Sequence, residues 1–157
     1  MADVDVDLEL TLQGGEVEEG GRRYEPGSSI QGWARLTPNG PVECRRVTAH
    51  LEWHTESQGH PERDRADEVE LLRGPLSGSL LQRFTLTVPW QPWSYHGYYI
   101  NIVWQVGVVA DIPHWGDIGI EEIILIAPRA GRLTTEPRHT NVPPDVTHRQ
   151  HRAKKRG

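Results

Sequence analysis

Cysteine, methionine and phenylalanine occur once each in 157 residues, and lysine only twice, as Lys154 and Lys155. With Cys44 alone, one copy of the chain can form neither an internal disulfide nor a cysteine-based zinc cluster, and a buried structural thiol is the expected role. Long apolar runs are also missing: no stretch exceeds strand length, so no transmembrane helix is expected. The start, MADVDVDLEL, has neither a basic end nor an uninterrupted apolar stretch, so no secretion signal is read and a cytoplasmic location is expected. No sustained 3.6-residue apolar period and no internal repeat are found, which argues against a helical or α/β body.

The chain does contain sixteen glycines and twelve prolines, placed between short alternating segments, and six tryptophans. Val4, Val6, Leu8, Leu10 and Leu12 share one phase of a period-2 pattern, and Asp3, Asp5, Asp7, Glu9 and Thr11 the other, which predicts a half-buried strand. After Gly14, Gly15, Gly20 and Gly21, the turn Glu25-Pro26-Gly27 leads into a second strand near 28–36. The turn at 37–41 precedes a third, in which Val47, Ala49, Leu51 and Trp53 face one way and Arg46, Thr48, His50, Glu52 and His54 the other. The polar interval 55–67 has no apolar period and is expected to be the longest loop of the body, with shorter strands at 68–72 and 80–88.

From Tyr98 to Ile112, Tyr98, Ile100, Ile102, Trp104, Val106, Val108, Ala110 and Ile112 share a face, which predicts the central, most buried strand. A last strand at 118–126 carries the adjacent acids Glu121 and Glu122, expected to mark a bulge or an edge. About eight strand signals separated by turns predict an all-β, antiparallel immunoglobulin-like sandwich over residues 1–127. Residues 128–157 are rich in Pro, Arg, His and Thr and are expected to form a disordered basic tail. The formal charge is about -11 before Pro128 and about +6 from there on.

Three stretches resemble the amino-terminal domain of arrestin-like proteins. Tyr24-Glu25-Pro26-Gly27-Ser28-Ser29-Ile30-Gln31-Gly32 resembles that family's turn into a strand. Pro89-Trp90-Gln91-Pro92-Trp93-Ser94-Tyr95-His96-Gly97 resembles its loop ahead of the long strand. Ile102-Val103-Trp104-Gln105-Val106 and Val109-Ala110-Asp111-Ile112-Pro113 resemble the strand itself. The resemblance spans residues 4–126 and implies an arrestin-type sandwich that serves as an adaptor or scaffold for other proteins, as in arrestins, a retromer subunit of that fold and bacterial sporulation-control proteins. It implies no reaction. The chain departs from full arrestins in having no room for a second sandwich, and no basic phosphate-reading strand residues can be placed in it.

No nucleophile elbow and no phosphate-binding glycine loop is present, and Ser77-Gly78-Ser79 reads as a turn. His50 and His54 flank Glu52 on one strand face, too far apart to grip one ion unaided; with His60 folding back they define the alternative reading, a metal-dependent hydrolase or sugar-binding enzyme, against that of solvated surface residues. Asp3, Asp5 and Asp7 on one strand cannot surround a calcium ion. No cofactor or metal is therefore assigned. Trp53, Trp104 and Tyr98 fit core positions, whereas Trp90, Trp93, Tyr95 and Trp115 fall in loops, either as interface anchors or as plugs for the ends of the sandwich. In the tail, Arg149, Arg152, Lys154, Lys155 and Arg156 are candidates for polyanion contact, without specificity for a nucleic acid. The expected partner is a protein, a second copy included, since sandwich edges invite pairing.

Overall fold

The computed structural model describes residues 5–128 and the backbone of 147–151. Among the described residues the regular elements are all strands, packed as two facing sheets. β1 (Val6–Gln13), β4 (Ser29–Pro38) and β7 (Leu80–Thr87) form one sheet, with β11 (Thr147–His151) added along the free side of β1. The larger sheet runs in the order β2 (Glu16–Glu18), β3 (Gly21–Tyr24), β10 (Gly116–Ile126), β9 (Ile100–Ile112), β5 (Val42–Ser57) and β6 (Arg63–Leu76), and β8 (Tyr95–His96) pairs with the start of β9.

Period-2 patterning explains the layers. Val6, Leu8, Leu10 and Leu12 of β1 and Ile30, Ala34 and Leu36 of β4 are buried against Val47, Ala49 and Leu51 of β5 and Trp104, Val106, Val108 and Ala110 of β9. Each fully buried Leu, Ile or Val contributes about 1.5–3 kcal/mol relative to exposure, so this face, and not any polar pair, holds the fold together. β9 is the central strand, as its sequence predicts, flanked by β10 and β5.

Three expectations need correction. The interval 55–67 is mostly strand: β5 continues to Ser57, β6 begins at Arg63, and only a short turn separates them. β6 is an edge strand with much of its length exposed, and such a strand needs no apolar period. Glu121 and Glu122 mark no bulge, because β10 pairs with β9 in unbroken antiparallel register from Gly116↔Ile112 to Ile124↔Trp104. β3 pairs on the other side only with Ile124, Leu125 and Ile126, so the two acids stand ahead of that pairing, where β10 borders the sheet among the described residues. Tyr98 lies outside the core, exposed in the connection between β8 and β9. The β3–β10 pair is parallel, the one departure from antiparallel order among the described pairs. Trp104 is fully buried, and Trp53 is half-buried against the core.

Candidate interaction surface

The carboxyl end of β3, the start of β4, the end of β7, the end of β10 and the start of β9 meet at one end of the sandwich. The turn between β3 and β4 is closed by the Ser28 N–H and Oγ–H, both donated to the Glu25 carbonyl at 3.2 and 2.6 Å. Gly27 there has φ +78°, in the region that side chains disfavour, and its N–H reaches the Val88 carbonyl at 3.1 Å. A Cβ at 27 would lie 2.5–2.7 Å from three atoms of the Trp90 ring, so the glycine supplies both the turn and the seat for that indole.

The loop after β7 is pinned at several points. The buried Trp104 indole donates to the Pro92 carbonyl at 3.1 Å, and the Trp93 indole donates to the Trp90 carbonyl at 2.9 Å. Ser94 pairs with the end of β10 twice: its N–H donates to the Ile126 carbonyl at 2.8 Å, and its Oγ accepts the Ile126 N–H at 2.9 Å. Tyr95 and His96 then pair with Ile102 and Asn101, and the Gly97 N–H closes a tight turn on the Ile100 carbonyl at 2.9 Å. The consequence is a firmly held scaffold that leaves rings in solvent: Trp90 is 75% exposed, Tyr98 92% and Tyr99 83%, with Trp93 and Tyr95 also exposed.

Beside it stands the β5–β6 turn, where the Thr55 N–H donates to the Glu62 carbonyl and the Glu62 N–H to Thr55 Oγ1, both at 2.8 Å. Register places Ser57 opposite Ile100 and Glu56 opposite Asn101, so this turn and the Tyr98–Tyr99 turn are neighbours. A cavity of about 540 Å³ lies between them.

Of the four loop aromatics singled out in the sequence, the fold gathers Trp90, Trp93 and Tyr95 at this end. Trp115 is half-buried against the core in the β9–β10 turn, twelve residues of strand or about 40 Å away along β9. Tyr98 and Tyr99 also belong to this surface: Tyr98 is in phase with the core face of β9, and only the turn at Gly97 shows that it precedes the strand.

The histidines do not converge. His50 is buried on the outer face of β5 with its imidazole against Gly107, where a Cβ would lie 2.6 Å from Nε2. Its Nδ1 meets no hydrogen-bond partner among the described residues, and burial, aided by Arg65, lowers its pKa. His54 Nε2 lies 3.7 Å from Glu56, and His60 is exposed in the turn. Glu52 is engaged by Gln105 at 3.2 Å, Arg63 at 3.3 Å and Arg65 at 3.6 Å. Among the described residues no group of three or more His, Cys, Asp or Glu is placed to hold a metal, so the hydrolase alternative lacks its centre. Cys44 is a buried free thiol whose pKa burial raises. Of the tail candidates, Arg149 falls in β11 opposite Glu9, and Arg152, Lys154, Lys155 and Arg156 lie outside the described residues, as does most of the stretch expected to be disordered.

No family model and no curated protein matches the chain. Its fold is similar to that of Spo0M, a sporulation control protein from Bacillus subtilis, with a TM-score of 0.58 and 16% identity over 80% of this chain. The chain spans about half of that structure, 50% of its length. The C-terminal domain of wzt aligns over 75% of this chain and 70% of its own with 10% identity, but its TM-score of 0.33 carries no argument. The chain thus has the arrestin-type β-sandwich fold that its motifs imply. No helix among the described residues is long and apolar enough to cross a membrane.

Proposed function

We propose that the chain is a non-catalytic adaptor or scaffold module that binds a protein partner through the aromatic end of its sandwich. The observation that carries this reading is the exposure of Trp90, Trp93, Tyr95, Tyr98 and Tyr99 on a loop pinned by hydrogen bonds to β9 and β10. Aromatic rings exposed on a rigid support are what interfaces use as anchors, since little conformational entropy is lost when they are covered. A plug for the end of the sandwich would instead bury them, as Trp104 is buried. The likeness to a sporulation control protein fits a regulatory binding role, which comes to this chain by analogy of fold. A cytoplasmic setting agrees with the single buried thiol.

A second contact surface is favoured by β11, which lies antiparallel along β1 from Asp7↔His151 to Thr11↔Thr147. That side of β1 accepts an extended strand, the mode by which sheet edges recognise peptides.

The test is affinity capture from the native cell with the full chain as bait. Changing Trp90 and Trp93 together to Ala should lower recovery of a specific partner about tenfold or more, in line with loss of hot-spot anchors, while Trp115→Ala leaves it near wild type. Equal recovery by the wild-type chain and the double variant would reject the aromatic end as the interface.

A further inference from the structure

The cavity between the two turns has a chemistry of its own. On one side stand Tyr98 and Tyr99, whose rings meet edge to face with centroids 4.8 Å apart and an interplanar angle of 80°. Two rings at right angles form a corner, and an aromatic face carries negative electrostatic potential that attracts cations. On the other side stand Glu56, Ser57 and Gln58, with Asn101 completing the polar wall. Glu56 is the only ionisable carboxylate of the lining, which contains neither lysine nor arginine. His54 Nε2 lies 3.7 Å from Glu56. The rings cannot be explained as core, because both are more than four-fifths exposed.

We propose that this cavity is a subsite for an organic cation, the ammonium or guanidinium group of a side chain, held against the Tyr98–Tyr99 corner with Glu56 supplying the opposing charge. An anion is excluded by the carboxylate, and a purely apolar side chain would leave Glu56, Gln58 and Asn101 without compensation for lost water. The volume, about 540 Å³, admits the end of an arginine or lysine together with its stem. The proposal deepens the reading of the aromatic end as a protein interface and rests on it for biological meaning, but the site's affinity for a cation is testable without any partner.

Two sources offer such a group. One is a partner protein. The other is the chain itself: residues 128–157 carry a net charge of about +6, and Ala127, just ahead of them, is held at this end, its N–H donating to the Tyr24 carbonyl at 3.2 Å.

Full-length protein with isotopically labelled tyrosine rings is titrated at pH 8 with tetramethylammonium chloride, with sodium chloride at equal ionic strength, and with tert-butanol as the neutral isostere. The chain has four tyrosines, and Tyr24, buried in the core and absent from the cavity lining, reports on the integrity of the fold. Saturable shifts of the Tyr98 and Tyr99 rings with tetramethylammonium alone are expected, with half-saturation at roughly 10 mM for so open a cation–π site. Glu56→Gln should weaken that binding about threefold or more while Tyr24 stays unmoved. Repeating the titration with every Arg and Lys from Arg129 onward changed to Gln separates the sources. Affinity rising severalfold identifies the tail as the resident, and unchanged affinity assigns the site to a partner. No saturable shift in either protein, or an equal shift with tert-butanol, overturns the proposal. Such a failure alongside a positive capture result would leave the interface standing and remove only this subsite.

Discussion

Glu122 faces inward on β10 between Ile120 and Ile124, and burial raises its carboxyl to about 7 against the opposing pull of the Arg22 guanidinium. Because the folded-state value lies above the ordinary one, the protonated form is favoured in the fold. The contribution is fully present below the usual carboxylate range and is lost as pH rises through about 7. Stability of the native chain should therefore fall between about pH 5 and pH 8, and Glu122→Gln, neutral throughout, should flatten that slope and gain about 1–2 kcal/mol at pH 8. Denaturant melts of the two proteins at pH 5 and pH 8 measure it, and parallel pH profiles would contradict the assignment. The sequence carried the signal for this position: Ile118, Ile120, Glu122, Ile124 and Ile126 share one phase, so of two adjacent acids the second points inward. The bulge that two adjacent acids suggest is absent, because the period runs through them without a break. Tyr98 is the converse case, in phase with a buried face but placed before the sheet's support begins.

Among the elements, β6 shows why a charged strand is hard to read from sequence. Its outer residues are held by ion pairs and not by an apolar face: Arg65 reaches Glu68 at 2.7 Å, and Arg46 of β5 reaches the same carboxylate at 3.3 Å. Such pairs contribute little individually, but charges along an edge discourage unwanted pairing with other chains. A different contact joins the two sheets on this side. Asp67 of β6 accepts the Thr87 N–H of β7 at 2.7 Å through Oδ2, and the Glu68 N–H at 2.8 Å through Oδ1. Asp67→Ala should destabilise the chain by about 1–2 kcal/mol, the usual loss for a charge-assisted bond to an amide, and should speed hydrogen exchange at Thr87 ahead of the rest of β7. Asp67→Asn, which keeps an acceptor, should recover part of both. Uniform exchange along β7 in the Ala variant would mean that the link carries no local stability. Neither this link nor the parallel β3–β10 pair has a sequence signature, since both join residues far apart in the chain and depend on which strands the topology makes neighbours.

For the molecule as a whole, the sandwich was legible because its two inner faces are written in period 2, whereas the way its sides are closed was not. The acidic body and the basic carboxyl-terminal stretch look independent in the sequence, yet β11 brings them into register, with Arg149 opposite Glu9 and His151 opposite Asp7. The ladder that joins them is only five residues long. Proline cannot donate to a ladder, so His148→Pro, at the position opposite Leu10, should release β11 without touching the body. Amides of β1 that face away from β4 should then lose hydrogen-exchange protection while those bonded to β4 keep theirs. With that side of β1 open, the variant should also self-associate at concentrations where the native chain does not, which sedimentation would detect. If β1 exchange is the same in both proteins, β11 contributes no stability in solution, and β1 is then an open edge in the native chain, available to a partner strand without displacement.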